Sequence, residues 1–166
     1  SASCLSPFTV TSTWTLELIP LLPVALSFAS DANARLLWAA MRTLSFDYEG
    51  HRLVYDEYGE GDQVVVLLPG LLFSRKMHQP LAEELAGGGR RVLCLDVLGH
   101  GDSDRPPELW NYNMSIFGQQ TIALLDHAGV DQAVIGGTSL GANTTLEAAA
   151  AAPERVKGML IEMPVL

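Results

Sequence analysis

From residue 64 onward, short apolar runs alternate with longer segments in which apolar residues recur at helical spacing. Of all the features of the sequence, this alternation limits the possible folds most strongly. Four runs predict strands that are covered on both faces, at residues 64–68, 92–95, 132–135 and 157–161. Helices are predicted between them, over residues 74–86, around residues 116–127 and over residues 140–152. Because parallel strands need such crossovers, the pattern predicts an α/β fold with a mainly parallel sheet.

Two more strands precede this region, and the first two helices each carry a stripe of regularly spaced residues. Residues 43–48 and 52–58 predict a hairpin that turns at Glu49-Gly50. The predicted stripes contain Met77, Leu81 and Leu85 on the first helix, and Ile116, Gln120, Ala123, Leu124 and His127 on the second.

Polar and glycine-rich segments follow the four apolar runs. These segments are Pro69-Gly70, residues 96–104, residues 137–141 and Glu162-Met163. In an open α/β sheet the ligand crevice lies at the carboxyl ends of the strands. The sequence therefore predicts that these four segments converge on one edge of the sheet.

Composition bounds the class of protein. The 166 residues contain 48% hydrophobic and 17% charged residues, which is typical of a globular domain. A net charge of −9 argues against nucleic acid as a partner. The two cysteines, Cys4 and Cys94, support neither a disulfide framework nor a zinc site. Cys94 is expected to be a buried, reduced thiol, which favours a cytoplasmic location.

The first forty residues differ from the remainder. Residues 18–29 are apolar and are followed by small residues, so residues 1–34 would make the protein secreted if they formed a signal segment. No Lys or Arg precedes Arg35, Pro20 and Pro23 interrupt the run, and it is too short to span a membrane. We therefore interpret residues 1–40 as an extension, translated upstream of a start at Met41, and residues 41–166 as the domain.

The stretch Gly137-Thr138-Ser139-Leu140-Gly141 stands between a predicted strand and a predicted helix. This is the context of a nucleophile elbow, in which a sharp turn presents a serine hydroxyl. Gly137 and Gly141 fit such a turn because neighbouring backbone leaves no room for a side chain. Leu140 would open the helix, so its N–H would be free to face an oxyanion.

Three motifs in sequence order, "LLPGLL", "GHGDSDRP" and "GGTSLGAN", resemble those of the α/β-hydrolase family over residues 41–166. The resemblance implies that Ser139 is the nucleophile and that the backbone N–H groups of Leu71 and Leu140 form the oxyanion hole. It implies a small-molecule acyl substrate and no cofactor or metal. Many family members have His-Gly where this chain has Pro69-Gly70. This difference leaves the implied assignment of the oxyanion hole standing, because the hole uses backbone amides.

The family order of a catalytic triad is serine, then an acid, then histidine. All four histidines precede Ser139, so we expect the catalytic histidine beyond residue 166, with the sheet truncated before its last strands. Glu162 is a candidate acid, since some members place the acid after this strand. His100, within "GHGDSD", is the alternative base because it lies on the crevice edge. A base that precedes the serine along the chain would, however, depart from the order of the triad in the family.

The leading hypothesis is a serine hydrolase that acts on a carboxylic ester or related acyl compound, with this chain alone nearly inactive. The alternative is that the chain is a non-catalytic, truncated α/β-hydrolase-like binding module. Composition and motifs do not separate esterase, lactonase, thioesterase, carbon–carbon hydrolase and haloperoxidase, and they leave the oligomeric state open. Haloalkane dehalogenase is disfavoured because Ser139 stands where an aspartate would be needed.

Overall fold

Six strands form one sheet in the computed structural model, which describes residues 41–165. The interpretation of residues 1–40 lies outside the described residues. In chain order the strands are β1 Arg42–Tyr48, β2 His51–Tyr58, β3 Val64–Leu68, β4 Arg91–Asp96, β5 Ala133–Thr138 and β6 Val156–Glu162. Their spatial order is β1-β2-β4-β3-β5-β6.

The pairing of the strands confirms the predicted hairpin and the mainly parallel sheet. β1 and β2 are antiparallel, with Tyr48 opposite His51, and β2 is antiparallel to β4. Glu49 and Gly50 both have positive φ, at 51° and 84°, as a two-residue turn of type I′ requires. The strands β4, β3, β5 and β6 run parallel, so their carboxyl ends meet at one edge.

Three α-helices connect the parallel strands: α1 Gln79–Gly87, α2 Met114–His127 and α3 Leu140–Ala151. Short 3₁₀ helices occupy Arg75–His78, Leu109–Asn111 and Pro153–Arg155. The first α-helix was predicted from Ser74, which is wrong by one turn. Pro80 has no N–H to donate and is therefore tolerated only in the first turn, which fixes the start of α1 at Gln79.

The predicted stripes on the first two helices are also corrected. On α1 the small residues Ala82 and Ala86 are buried, whereas Leu81 is 44% exposed. On α2 Gln120 and Leu124 are buried as predicted, but His127 is exposed. The buried face of α2 includes Phe117, Gly118 and Thr121 instead of Ile116 and Ala123. In both helices small residues permit close packing, and periodicity of large apolar residues does not detect them.

The core lies on both faces of the sheet, which explains the continuous apolar runs. Val66 and Leu68 face the cluster that α2 and α3 cover, while Val65 and Leu67 face the cluster under α1. Cys94 belongs to the second cluster and is buried with a free thiol, as predicted. None of the helices in residues 41–165 is both long enough and apolar enough to cross a membrane.

Candidate active site

Ser139 lies at the junction of β5 and α3 in a strained backbone conformation. Its φ is 55° and its ψ is −110°, a combination that L-residues adopt only when their surroundings impose it. The Ser139 N–H donates to the carbonyl oxygen of Glu162 at 2.9 Å, and the Ser139 carbonyl accepts from Asn143 N–H at 3.2 Å. These two hydrogen bonds hold the turn from both sides, and Ser139 remains partly exposed.

Two glycines make this turn sterically possible. A β-carbon at Gly141 would overlap the carbonyl oxygen of Leu68 and would lie 2.9 Å from that of Pro69. A β-carbon at Gly137 would lie 2.7 Å from the same Leu68 oxygen and 2.6 Å from the carbonyl oxygen of Gly141. Real β-carbons do not approach backbone this closely. The close contact between α3 and the end of β3 therefore requires glycine at both positions.

The loop after β3 passes beside Ser139. Phe73 N–H donates to the Gly70 carbonyl at 3.1 Å, and Leu72 has a φ of 68°, which closes a turn at residues 70–73. A methyl group on Gly70 would lie 3.8 Å from Ser139 Cβ and 3.6 Å from the Phe73 ring. Ser139 Cβ and the Phe73 ring therefore both lie within 4 Å of the position that a Gly70 β-carbon would take.

The two backbone N–H groups predicted for an oxyanion hole are not engaged in regular secondary structure. Leu140 is the first residue of α3, so its N–H has no acceptor within the helix. The N–H of Leu71 donates to no acceptor among residues 41–165. The positive end of the α3 dipole lies at the same place and favours negative charge there. The role of the two N–H groups stays a prediction.

None of the four histidines, all of which lie within residues 41–165, forms a hydrogen bond to Ser139. His78 is 8% exposed, and its Nε2 lies 3.0 Å from the Leu68 carbonyl oxygen. A carbonyl only accepts hydrogen bonds, so Nε2 carries the proton. His51 begins β2, and His127 stacks on Phe46 with ring centroids 5.2 Å apart.

His100 lies on the crevice edge, as predicted. Its Nδ1 is 3.1 Å from the Leu98 carbonyl oxygen, and its ring stands edge-on to Phe117 with centroids 6.0 Å apart. The side chain is 8% exposed. These contacts fix the imidazole within its own loop, and the structure does not pair it with Ser139.

Glu162 ends β6 next to the turn that carries Ser139. Its carboxylate accepts from the Thr138 hydroxyl at 2.6 Å, and its side chain is exposed. The segment after β6 is fastened by Asn143, whose amide side chain donates to the Val165 carbonyl at 2.9 Å and accepts from the Val165 N–H at 2.8 Å. Glu162 is thus held beside the elbow through both its backbone and its side chain.

A buried ion-pair cluster supports the crevice, and sequence reasoning missed it. Arg75 is 3% exposed and contacts the carboxylates of Asp56, Asp96 and Asp102, with 2.9 Å to Asp56 and 2.9 Å to Asp102. The Arg75 N–H also donates to Asp96 at 2.6 Å. Arg75 follows the loop after β3, and Asp102 lies in the loop after β4. The cluster therefore ties two of the crevice loops together.

Electrostatics within this cluster shift two pKa values. Burial alone would lower the pKa of the Arg75 guanidinium, but its contacts with the three carboxylates outweigh burial and raise that pKa above its ordinary value. The hydrogen bond from Arg75 lowers the pKa of Asp102, which is exposed. Arg75 therefore stays charged and Asp102 stays ionised at neutral pH. The sequence signal for this cluster is weak, because its members are spread from Asp56 to Asp102 over four separate segments.

The "GHGDSD" loop is folded around Asp96. Asp102 N–H donates to the Asp96 carboxylate at 3.0 Å, and the Ser103 hydroxyl donates to the Asp96 carbonyl at 2.6 Å. Gly101 has a φ of 46°, and a β-carbon there would overlap the Asp96 carboxylate. Gln120 on α2 accepts from Leu98 N–H at 3.0 Å. The loop is therefore rigidly placed at the carboxyl end of β4.

A cleft of about 410 Å³ opens between the loops after β3 and β4. Its volume lies in the range of small-molecule sites. Ser139 does not line the cleft, but Phe73 does, and Phe73 and Ser139 both lie beside Gly70, so the cleft borders the elbow. The lining residues are Leu71, Leu72, Phe73, Gly99, His100, Gly101, Arg105 and Tyr112.

Comparison with known proteins identifies the family. The family model described as "alpha/beta hydrolase fold" matches residues 63–165, which is more than half of the chain. The chain belongs to the α/β-hydrolase family. The predicted family and fold class are thereby confirmed.

Hydrolases are prominent among the relatives of this α/β-hydrolase. Bifunctional epoxide hydrolase 2 of Mus musculus is 34% identical over 66% of this chain and 20% of its own length. 3-Oxoadipate enol-lactonase 2 of Acinetobacter baylyi is 32% identical over 66% of this chain and 40% of its own length. A solved structure of a Vigna radiata epoxide hydrolase variant has a TM-score of 0.69 and 27% identity, over 72% of this chain and 37% of that one. The chain spans only one fifth to two fifths of these proteins.

Proposed function

We propose that this α/β-hydrolase is a serine hydrolase that cleaves carboxylic esters or related acyl compounds, with Ser139 as its nucleophile. The observation that carries the proposal is the strained backbone of Ser139, with a φ of 55°, at the N-terminus of α3. Strain of this kind persists only where the surrounding structure imposes it, and it clusters at functional sites. The proposal adds the N–H groups of Leu140, which opens α3, and of Leu71 as the oxyanion donors.

In the proposed reaction, the Ser139 hydroxyl oxygen attacks the carbonyl carbon and its proton passes to a base. The carbonyl electron pair moves to oxygen, and the N–H groups of Leu71 and Leu140 donate to the resulting oxyanion. Each such donor is worth roughly 10²–10³ in kcat. Collapse of the tetrahedral intermediate breaks the ester bond, and the alcohol leaves with the proton. Water then attacks the acyl-serine by the same route and releases the acid.

The base is proposed to be a histidine outside this chain, because the histidines at 51, 78, 100 and 127 form no hydrogen bond to Ser139. Glu162 is proposed as the acid that orients it, on the ground that its carboxylate is exposed beside the elbow. The proposal needs no cofactor or metal. His100 remains the alternative base.

The nucleophile favours acyl substrates over epoxides, although epoxide hydrolases are among the relatives. A serine oxygen that opened an epoxide would form an alkyl ether, which water does not cleave at neutral pH. Attack on an ester or lactone carbonyl forms an acyl ester, which water can hydrolyse. Ser139 therefore points toward chemistry of the kind named for the enol-lactonase relative. Esterase, thioesterase, carbon–carbon hydrolase and haloperoxidase activities share this requirement.

A non-catalytic binding module is the second candidate, favoured by the absence of an imidazole at hydrogen-bond distance from Ser139 within residues 41–165. One experiment separates the two. Hydrolysis of p-nitrophenyl acetate is measured for the chain, for Ser139→Ala and for Ser115→Ala, with and without added imidazole. Ser115 is the matched control because it is an exposed serine on α2.

The serine-hydrolase proposal predicts little turnover by the chain alone, because an oxyanion hole without a base retains only part of the catalysis. Added imidazole should accelerate hydrolysis by the chain and by Ser115→Ala. In imidazole, the rates of these two proteins should be about tenfold higher than the rate of Ser139→Ala. Equal rates for all three proteins in imidazole would reject Ser139 as a nucleophile and favour the binding module. Full turnover without imidazole would assign the base to this chain, with His100 as its first candidate.

A further inference from the structure

The walls of the cleft between the loops after β3 and β4 are mostly apolar, but one strongly basic side chain lies among them. Its lining includes the apolar side chains of Leu71, Leu72 and Phe73 and the aromatic ring of Tyr112. Arg105 also lines the cleft and carries a permanent positive charge. A guanidinium in such a place matches a carboxylate or another planar anion.

Arg105 has no carboxylate partner among residues 41–165. Its one hydrogen bond is from Nη2 to the Gly101 carbonyl at 2.5 Å, which leaves most of its five N–H donors available. The arginines that do form ion pairs with carboxylates are Arg42, Arg52, Arg75, Arg91 and Arg155. Lys76, Arg90 and Lys157 also lack an ion pair within residues 41–165, but of these unpaired cations Arg105 is the one that lines the cleft.

The acidic residues nearest to Arg105 in the sequence are engaged elsewhere. Asp102 contacts Arg75 at 2.9 Å. Asp104 accepts from the Arg52 N–H at 2.8 Å, and its other oxygen lies 4.0 Å from the Arg52 side chain. The loop therefore directs its own carboxylates toward arginines outside the cleft. Arg105, which is exposed where it lines the cleft, is left without a counter-charge in the described residues.

We infer that the cleft binds acyl compounds that carry a carboxylate, and that Arg105 determines this specificity by pairing with the carboxylate. The inference rests on the proposed function in one respect, because it assumes that the reacting carbonyl lies at Ser139. Phe73 lines the cleft and, like Ser139, lies beside Gly70, so an apolar spacer on the Phe73 ring would connect the two ends of the ligand. The ligand class is then an ω-carboxylate acyl compound with an alkyl spacer.

The test measures binding and requires no catalysis. The probes are glutaramate, adipamate and suberamate, each with one carboxylate and one amide that is not hydrolysed under the assay conditions. Their neutral diamides are the matched controls. Each probe is titrated into the full ¹⁵N-labelled chain, and backbone resonances of residues 99–105 are followed by NMR. The variants are Arg105→Gln and Lys157→Gln, the latter removing one charge from an exposed position on β6.

At low salt at least one carboxylate probe should bind about fivefold or more tightly than its diamide, since a charge-assisted bidentate pair is stronger than a neutral one. Arg105→Gln should abolish this preference and leave diamide binding unchanged, whereas Lys157→Gln should preserve it. About 0.5 M NaCl should weaken it because salt screens an exposed pair. No preference in the unaltered chain, or a preference that survives in Arg105→Gln, would overturn the inference. Probe binding is also measured for Ser139→Ala. If this variant keeps the preference for the carboxylate probes, the result does not depend on whether Ser139 is the nucleophile.

Discussion

Ser139 shares its unusual backbone with two other residues at the same edge of the sheet. Leu72 after β3 and Met163 after β6 also have positive φ, at 68° and 47°. The glycines around Ser139 made its turn predictable from the sequence. No glycine marks Leu72 or Met163, so their conformations had no local signal. Three strained residues at adjacent strand ends support the location of the site at this edge.

Gly141→Ala tests the steric account of the elbow at the level of a single carbon atom. The new β-carbon would overlap the Leu68 carbonyl, so we expect the free energy of unfolding to fall by about 3 kcal/mol. Gly158→Ala is the matched control, because the nearest atom to its β-carbon is a side-chain carbon at 3.7 Å. Urea denaturation should show a change below about 0.5 kcal/mol for the control. Equal stability of the two variants would contradict the account.

At the scale of elements, the loops after β3 and β4 owe their relative position to Arg75. The sequence predicted that both loops reach one edge of the sheet, because the parallel direction of the strands follows from the alternation of strands and helices. It did not predict which side chains join them. Asp56 comes from the antiparallel strand β2, and only the three-dimensional pairing of β2 with β4 brings it to Arg75.

Arg75→Met measures how much this cluster contributes. Removing the cation leaves Asp56 and Asp96 buried without a counter-charge, so the free energy of unfolding should fall by about 3–5 kcal/mol. Arg52→Met is the control, since its ion pair with Asp104 is exposed and should be worth less than about 1 kcal/mol. Urea denaturation compares the two. A loss in Arg75→Met no larger than that in Arg52→Met would show that the cluster is not structural.

A second substitution at Arg75 tests a prediction about pH. Arg75 lowers the pKa of Asp102, so this contribution to stability is present above the unfolded-state pKa and is lost as the pH falls through the folded-state pKa. In a variant that retains the fold, Arg75→Lys, the weaker match to the carboxylate should bring the pKa of Asp102 closer to its ordinary value. A ¹³C NMR titration of the Asp102 carboxyl measures both proteins. An unchanged Asp102 pKa would remove Arg75 as its cause.

At the scale of the whole molecule, the class of fold was predictable and the helix faces were not. Runs such as Val64–Leu68 are apolar throughout because both faces of the sheet are covered, and that pattern is visible in the sequence. The inner faces of α1 and α2 depend on Ala82, Ala86 and Gly118, which pack because they are small. Small residues carry little hydrophobic periodicity, so local pattern alone gave the wrong stripes.

Strand β6 leaves an apolar edge on the described part of the molecule. It stands last in the sheet, and large apolar residues on and after it are exposed, namely Met159, Leu160, Ile161, Met163 and Val165. Unpaired apolar edges promote association, so we expect the chain to self-associate as its concentration rises. Light scattering should show that Met159→Lys reduces this association and that Leu109→Lys, at an exposed site elsewhere, does not. A monomer at all concentrations would contradict the prediction.

The central claim is that the Ser139 hydroxyl accepts an acyl group. The most direct measurement is to treat the chain with p-nitrophenyl acetate in the presence of imidazole, quench with acid, and map the acetylated residue by peptide mass spectrometry. The account predicts acetyl-Ser139, absent from Ser139→Ala and retained in Ser115→Ala. Acetylation spread over lysines with an unmodified Ser139 would contradict it.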